Sequence, residues 1–419
     1  MHEIKTLSNG IRVIAEKIDS LRSVAMGVWI GNGSRNETEE ENGISHFIEH
    51  MLFKGTQKRQ AWQIAKEIDG IGGQINAFTA REYTCFYTKT LDEHASIAMD
   101  VLSDMLFRSE LSKENMDLER QGILEEIKLY EDSPEDLVYD LLAEAVWGNT
   151  SMGRTILGTP SSLGGITSEK MRGYIQKHYT AENMVISVSG NYGPDFFDGL
   201  EKYFGQWALA EKAPVLPAAP YQSGNVLVRT KDIEQVQVVA SFSGLDVMDD
   251  SGAYSLLAFN NIFGSGMSSR LFQNIREKEG LAYSIYAGHS AYIGTGIFDI
   301  SLGTSPENLE KVCGLICDEI KRVRREKLSA EEVEAAKQQL KGNYILSYES
   351  TGARMQGAGR SMLLGKPIYS QEEALARIGQ VSVESVAQII DRVLDPTTLC
   401  VAAVGQIETA DHLFDALKA

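Results

Sequence analysis

The sequence predicts an α+β protein of two homologous domains, each an antiparallel or mixed sheet with helices on one face. Three observations lead to this prediction. A chain of 419 residues is too long for one ordinary hydrophobic core. A proline-rich segment divides it into nearly equal halves, and both halves repeat one order of strand-like and helix-like segments. We therefore predict domains at residues 1–212 and 222–419, joined by a linker at residues 213–221.

The linker is predicted from proline content. Residues 214–220 hold three of the nine prolines in the chain. Proline fixes φ and lacks a backbone N–H, so this segment cannot form a helix interior or a central strand. We interpret it as an extended connector between the two domains.

The repeat is visible as a shared order of segments in the two halves. Each half opens with two β-rich blocks, continues with a long helical pattern, further strand-like residues and two helices, and closes on a β-rich run. This order predicts one common architecture, although it does not give the order of strands in each sheet. The β-rich segments are residues 10–18, 23–30, 80–91 and 185–191 in the first half, and 225–228, 235–243, 282–302 and 399–406 in the second.

Two serines mark equivalent helix starts. Ser112 and Ser329 each precede an acidic first turn, which is typical of a helix N-cap. With the two caps aligned, Glu119 lies opposite Ala336. The second half also lacks a histidine pair in the equivalent of residues 46–54, so we expect only the first half to carry chemistry.

Composition and charge limit the classes of function. The chain is 43% hydrophobic and 23% charged, which is typical of a globular protein. Its net charge of −18 argues against a nucleic-acid partner and is compatible with basic peptides. No apolar run reaches the roughly 18 residues of a membrane span, so we expect no membrane partner. Met1 leads directly into a predicted strand without a secretory leader, and the four cysteines form no C-x-x-C pair. These features favour a cytoplasmic location.

Residues 46–50, His-Phe-Ile-Glu-His, are the strongest candidates for chemistry. On a helix, His46, Glu49 and His50 share one face because each residue advances about 100° around the axis. Two imidazoles one turn apart can bind a metal ion, and a carboxylate beside them can accept a proton from water. The order H-x-x-E-H is the inverzincin signature. The alternative is a pair of partly buried histidines on an amphipathic helix.

A catalytic zinc site usually needs a third protein ligand, and the sequence alone leaves its identity open. Glu119 and Glu126 are seven residues apart, so they lie on one face of the predicted helix that follows Ser112. Without further information, Glu126 would be interpreted as a surface glutamate. We interpret three other glutamates of this region as solvated: Glu114, Glu125 and Glu131.

The pentapeptide, the following residues 51–56 (Met-Leu-Phe-Lys-Gly-Thr) and the two glutamates together resemble the pitrilysin/insulinase family of zinc metallopeptidases. The single-length chain is similar to the processing-peptidase branch, which includes the mitochondrial processing peptidase β-subunit and bacterial relatives. In that family a glutamate 76 residues past the second histidine completes the metal site. The resemblance therefore implies one Zn²⁺ per chain, bound by His46, His50 and Glu126. Glu119 matches a second family glutamate, seven residues earlier, that supports the site.

The resemblance also implies substrate-binding residues in the first half. Residues 73–79, Gly-Gln-Ile-Asn-Ala-Phe-Thr, are similar to the family's edge strand, whose backbone pairs with the peptide being cut. We therefore expect Asn76, Ala77 and Phe78 to bind substrate. The alternative is that Asn76 is a turn residue and Phe78 a core residue.

In the second half, residues 266–272 and 276–283 resemble the family's other marker. Its arginine and tyrosine approach the scissile bond, which implies that Arg276 and Tyr283 stabilise the oxyanion of the tetrahedral intermediate. On residue type alone, Arg276 would belong to a solvated helix end and Tyr283 to a strand at a domain edge.

Together these features predict a zinc endopeptidase that cleaves short or unfolded peptides in an enclosed chamber. Glu49 would be the general base, and Glu119 would orient a ligand histidine or add negative charge. Double-length family members enclose substrate between two halves, so we expect a homodimer in which Arg276 and Tyr283 act in trans. Two alternatives remain open: a catalytically silent scaffold subunit of the same fold, and a subunit that needs a different partner chain.

Overall fold

The computed structural model describes residues 2–208, 210, 214–410, 413, 415 and 417. Residue 213 of the predicted linker and residues 1, 209, 211 and 212 of the predicted first domain lie outside this description, as do six residues near the carboxyl end. The chain forms two compact units. Unit 1 contains Met1–Ile127, Thr155–Pro217 and Ile345–Ser370, and unit 2 contains Lys128–Arg154, Ala218–Tyr344 and Gln371–Ala419.

Each unit is built on a mixed sheet. In the described part of the chain, the strands of unit 1 are β1 (His2–Thr6), β2 (Arg12–Lys17), β3 (Ser23–Ile30), β4 (Gln74–Thr79), β5 (Thr84–Leu91) and β6 (Met184–Gly190). Those of unit 2 are β7 (Val226–Thr230), β8 (Val236–Ser243), β9 (Ser284–Tyr292), β10 (Thr295–Thr304) and β11 (Cys400–Gly405).

The two sheets have the same strand order once β1 is set aside. The order is β1-β2-β6-β3-β5-β4 in unit 1 and β7-β11-β8-β10-β9 in unit 2. In both sheets the first shared pair, β2 with β6 and β7 with β11, is parallel. The following pairs are antiparallel. The predicted α+β class with two related sheets is therefore confirmed.

The helices pack on the faces of the two sheets. Among the described residues, they are α1 (Ile44–Leu52), α2 (Ala61–Gly70), α3 (Ala95–Arg108), α4 (Lys113–Asp132), α5 (Pro134–Trp147), α6 (Pro160–Gly164), α7 (Ser168–His178), α8 (Phe196–Leu200), α9 (Asp250–Phe263), α10 (Leu309–Glu326), α11 (Ala330–Ser347), α12 (Thr351–Leu363), α13 (Gln371–Gly379) and α14 (Val383–Val393). Short π-helical turns cover Glu201–Gly205 and Phe272–Glu277.

Both predicted serine caps are confirmed. The N–H of Asn115 donates to Ser112 Oγ at 3.3 Å, at the start of α4. The N–H of Glu332 donates to Ser329 Oγ at 3.2 Å, at the start of α11. These side chains satisfy N–H groups that have no partner inside the helix.

The main core of unit 1 lies between one face of its sheet and several helices. Strands β2, β3 and β6 contribute alternate side chains, and α1, α3 and α7 contribute their apolar faces. Phe47 of α1 is fully buried in this core. Burying residues such as Phe47 stabilises the fold and fixes the helix on which the two histidines of the motif lie.

Each sheet also has a second covered face, which the sequence did not predict. Helix α12, from the second half of the sequence, packs on unit 1 against Trp29 and Cys85. Its Gly359 permits this close approach, because a Cβ there would collide with the Trp29 indole. In unit 2, α5 from the first half covers β11 in the same way. Each compact unit therefore includes residues from both halves of the sequence. The domain division at residues 212 and 222 stays a prediction.

The described proline-rich segment, residues 214–220, forms neither helix nor strand. The buried Arg35 guanidinium donates to the Pro217 carbonyl oxygen at 2.7 and 3.0 Å and to Glu82 Oε1 at 2.6 Å. Arg35 thus fixes Pro217, in the middle of this segment, within unit 1. In the part of the chain that the structure describes, no helix combines the length and apolar character needed to cross a bilayer.

Candidate metal centre

Helix α1 is fixed at its start by a buried carboxylate. The N–H groups of Gly43 and Ser45 donate to Glu37 at 2.8 and 2.9 Å. Burial raises the pKa of Glu37 to about 7, although these hydrogen bonds oppose the shift. Gly43 has a φ of 90°, a left-handed conformation that glycine adopts without steric cost. The residue pattern did not identify Glu37, because its role depends on a contact eight residues along the chain.

His46, His50 and Glu126 converge as a candidate metal site. The two Nε2 atoms are 3.2 Å apart, and Glu126 Oε2 lies 3.8 Å from each of them. Tetrahedral zinc ligands with bonds of about 2.0–2.2 Å would be separated by roughly 3.3 Å. Within the described residues, this is the one group of three histidine, cysteine or acidic side chains whose ligand atoms all lie within 4.8 Å of one another. The donor set therefore fits a zinc ion.

Both histidines are prepared for metal binding, His46 by its burial and His50 by a hydrogen bond to a carboxylate. His46 is buried, and burial lowers its pKa to about 3. His50 Nδ1 lies 3.1 Å from Glu119 Oε1. Because a carboxylate only accepts hydrogen bonds, this contact places the proton on Nδ1 and leaves the Nε2 lone pair directed at the site.

Glu119 lies outside the trio but is connected to it. One carboxylate oxygen contacts His50, and the other lies 2.5 Å from the Lys54 ammonium nitrogen. Glu119 thus orients the His50 ring through Nδ1, the ring nitrogen that does not face the trio, while Lys54 balances the negative charge of Glu119. Lys54 belongs to the run of residues 51–56 that follows the pentapeptide. Its position one turn past His50 was the available signal for this contact.

Replacing Glu119 by glutamine should weaken zinc binding by about 10–100-fold, because the His50 ring loses its charged hydrogen-bond partner. Zinc affinity can be measured by competition with a chelator. Glu114→Gln is the matched control, since Glu114 lies on the same helix and is exposed. Equal affinities for the Glu119→Gln and Glu114→Gln proteins would contradict this role for Glu119.

Glu49 lies beside the trio and has one well-defined partner. The Thr79 hydroxyl donates to Glu49 Oε2 at 2.5 Å. Burial raises the pKa of Glu49 above its ordinary value, and the Thr79 hydrogen bond opposes this shift. A carboxylate held next to a metal site in this way can accept a proton from an attacking water.

The predicted edge strand is formed by β4, which lies at the end of its sheet. Asn76 is exposed on this strand, not in a turn, and its Oδ1 accepts from the N–H of Ala77 at 2.8 Å. The Phe78 ring packs edge-on against Trp29 at a centroid distance of 5.8 Å and also contacts Tyr83. The roles of Asn76, Ala77 and Phe78 in substrate binding stay predictions.

Arg276 and Tyr283 lie close to each other in unit 2, whereas the trio belongs to unit 1. The Arg276 guanidinium carbon is 5.3 Å from the centroid of the Tyr283 ring and 4.8 Å from that of Phe272. Tyr283 is 75% exposed, which is unusual for a large aromatic residue in a folded chain. The proximity of the two side chains is compatible with a joint role, which stays a prediction.

The fold and the trio together define an α+β protein of two related units with a candidate metal site. Two family models match this chain. The family model described as "Insulinase (Peptidase family M16)" matches residues 12–160, and the one described as "Peptidase M16 inactive domain" matches residues 165–340. The first of these ranges contains His46, Glu49, His50 and Glu126.

Similar proteins are named as zinc proteases. "Uncharacterized zinc protease YmxG" of Bacillus subtilis is 43% identical over 91% of this chain and 93% of its own. An uncharacterized zinc protease of Streptomyces coelicolor is 37% identical over 98% of this chain and 92% of its own. The chain therefore belongs to the pitrilysin/insulinase family of peptidases.

Solved structures share the fold. A protease from Helicobacter pylori superposes with a TM-score of 0.89 at 20% identity, covering 97% of this chain and 99% of its own. A structure from Pseudomonas fluorescens, described as a peptidase M16 inactive domain, gives the same TM-score at 18% identity, covering 97% and 98%. At these identities the match supports the two-unit architecture alone.

Proposed function

We propose that this protein is a zinc-dependent endopeptidase that hydrolyses short or unfolded peptides. One observation carries the proposal: three side chains from two helices converge in ligand geometry, with the Glu49 carboxylate beside them. Family membership and the names of the relatives support a proteolytic role. The narrower processing-peptidase type remains part of the proposal. We also propose a cytoplasmic location, where the four buried cysteines would remain thiols.

In this proposal His46, His50 and Glu126 hold the zinc ion, which supplies a Lewis acid for the scissile carbonyl and for water. The Glu49 carboxylate accepts a proton from the attacking water and then delivers it to the nitrogen of the leaving amine. Glu119 keeps the His50 ring in one orientation through the Nδ1 contact at 3.1 Å. Holding these groups in place reduces the reorganisation needed in the transition state.

The edge of β4 is the proposed peptide-binding surface. An extended peptide can add to a free strand edge through backbone hydrogen bonds, which tolerate varied side chains. Asn76, Ala77 and Phe78 would lie along this peptide. The net charge of −18 favours basic substrates, and a competition between basic and acidic peptides of equal length would measure that preference.

We further propose a homodimer that encloses a chamber, in which Arg276 and Tyr283 of one chain serve the zinc site of the other. The support is the family arrangement, in which double-length members enclose substrate between halves that each resemble this whole chain. The Arg276 guanidinium and the exposed Tyr283 hydroxyl would then stabilise the oxyanion of the tetrahedral intermediate.

Mixing Glu49→Gln chains with Tyr283→Phe chains should restore about a quarter of the active sites, because half of the random dimers would each contain one intact site. The measurement is the peptidase rate after the chains are mixed and allowed to exchange. As a control, Glu49→Gln chains mixed with chains carrying both substitutions should stay inactive. An absence of recovery, with exchange shown by differently tagged chains, would count against action in trans.

The proposed function is tested by zinc content together with digestion of a peptide library by the purified protein. One zinc ion per chain and cleavage of short peptides, with folded proteins left intact, is the expected result. A lack of stoichiometric zinc would favour the scaffold alternative. Bound zinc without cleavage, from a chain that is monomeric by size measurement, would favour a subunit that needs a different partner.

A further inference from the structure

Glu49 is held by a single side chain. Among the described residues, the hydrogen bond from Thr79 Oγ1 to Glu49 Oε2, at 2.5 Å, is the one hydrogen bond that reaches this carboxylate. A glutamate side chain has three rotatable bonds, and fixing it costs conformational entropy. A short hydrogen bond to an ionised carboxylate is stronger than one between neutral groups, so Thr79 can restrain the carboxylate to one position.

Thr79 also belongs to the sheet edge proposed for the peptide. It is the last residue of β4, and it pairs with Thr84 of β5. The N–H of Ala80 points toward the chain leading into β5 and donates to the Tyr83 carbonyl oxygen. The N–H of Ala77 points away from β5 and donates to the Asn76 side chain. Strand N–H groups alternate in direction, so the N–H of Thr79, like that of Ala77, points away from β5 toward the free edge of β4.

The side chains of β4 separate onto two faces, and Thr79 lies on the face that carries α1. Phe78 packs in the aromatic cluster of the opposite face, with Trp29. Ile75 and Ala77 pack against the core that contains α1. Since alternate residues share a face, Thr79 follows Ile75 and Ala77, which is why its hydroxyl reaches Glu49.

We propose that Thr79 is a positioning residue that fixes Glu49 Oε2, leaves Oε1 to accept the proton of the attacking water, and keeps the base in register with a peptide bound on β4. This inference rests on the proposed function, because it assigns a task to one of its residues. Thr79 is not one of the proposed metal ligands, and it acts through its hydrogen bond to Glu49.

The test compares three substitutions. Thr79→Val keeps the shape and the β-branching but removes the hydroxyl, and Thr79→Ser keeps the hydroxyl. Thr90→Val is the matched control, because Thr90 is a buried threonine of the neighbouring strand β5 whose hydroxyl has no hydrogen-bond partner among the described residues. Zinc content is measured for each protein, to show that the metal site is retained.

We expect Thr79→Val to lower kcat by about 10-fold with KM nearly unchanged, because the base is misplaced while peptide binding is kept. Thr79→Ser should restore most of kcat, and Thr90→Val should resemble the unaltered protein. Wild-type kcat in Thr79→Val would overturn the proposal, as would an equal loss in Thr79→Ser.

Crystal structures of the same variants give a readout that does not depend on activity. We expect the Glu49 carboxylate to leave its position in Thr79→Val and to keep it in Thr79→Ser. A Glu49 carboxylate that stays in place without the hydroxyl would overturn the inference. If the unaltered protein binds zinc but cleaves no peptide, while Glu49 moves in Thr79→Val, the proposed function fails and the positioning role of Thr79 stands.

Discussion

Replacing Glu49 by glutamine is expected to abolish peptide hydrolysis while leaving one zinc ion bound per chain. Glutamine has the same shape but cannot accept a proton from water, and general base catalysis is typically worth about 10²–10⁴-fold. Its carbonyl oxygen can still accept the hydrogen bond from Thr79, which lies 2.5 Å from Glu49 Oε2 in the unaltered chain. The measurement is kcat for a peptide substrate together with metal analysis of the same sample.

The Glu49 experiment separates the base from the ligands. Glu114 is an exposed residue of α4, and the Glu114→Gln protein should keep both activity and zinc. Near-normal turnover in Glu49→Gln would show that another group takes the proton. Loss of zinc together with activity would instead place Glu49 among the metal ligands.

Replacing Glu126 by alanine should remove zinc and activity together. Glu126 contributes the one carboxylate oxygen of the trio, 3.8 Å from both imidazole nitrogens. Loss of the hydrogen-bond partner of a ligand lowers metal affinity by about 10–100-fold. Loss of a direct ligand should therefore weaken zinc binding by more than about 100-fold. Metal analysis after dialysis against a weak chelator measures this effect.

The neighbouring glutamate provides a sharp control for Glu126. Glu125→Ala removes a carboxylate one residue earlier on α4, which is rotated by about 100° around the helix axis and is exposed. Zinc should remain bound in this variant. If the Glu125→Ala and Glu126→Ala proteins retained equal zinc, the assignment of the third ligand would be wrong.

Much of the fold was predictable because it depends on local patterns. The serine caps at 112 and 329, the helix of the pentapeptide and the repeated succession of segments along the chain all follow from short-range periodicity and capping chemistry. The covering of the second sheet faces by α5 and α12 did not follow from them. An apolar helix face shows that a helix is buried, but not which sheet buries it.

The same distinction applies to the candidate site, where the spacing within one helix was predictable and the contacts between separate elements were not. His46, Glu49 and His50 share one helix, so their spacing alone brings them to one face. Glu126 required the family resemblance, because nothing local distinguishes it from other glutamates of α4. The contacts of Thr79, Lys54 and Glu37 were missed, since each depends on where separate elements meet in space.

Anomalous diffraction at the zinc edge, from crystals of the zinc-loaded protein, tests the central claim most directly. We expect one zinc ion bound by Nε2 of His46, Nε2 of His50 and a carboxylate oxygen of Glu126, with a fourth position left to solvent. A loaded ion held by the two imidazoles while Glu126 extends into solvent would contradict the account.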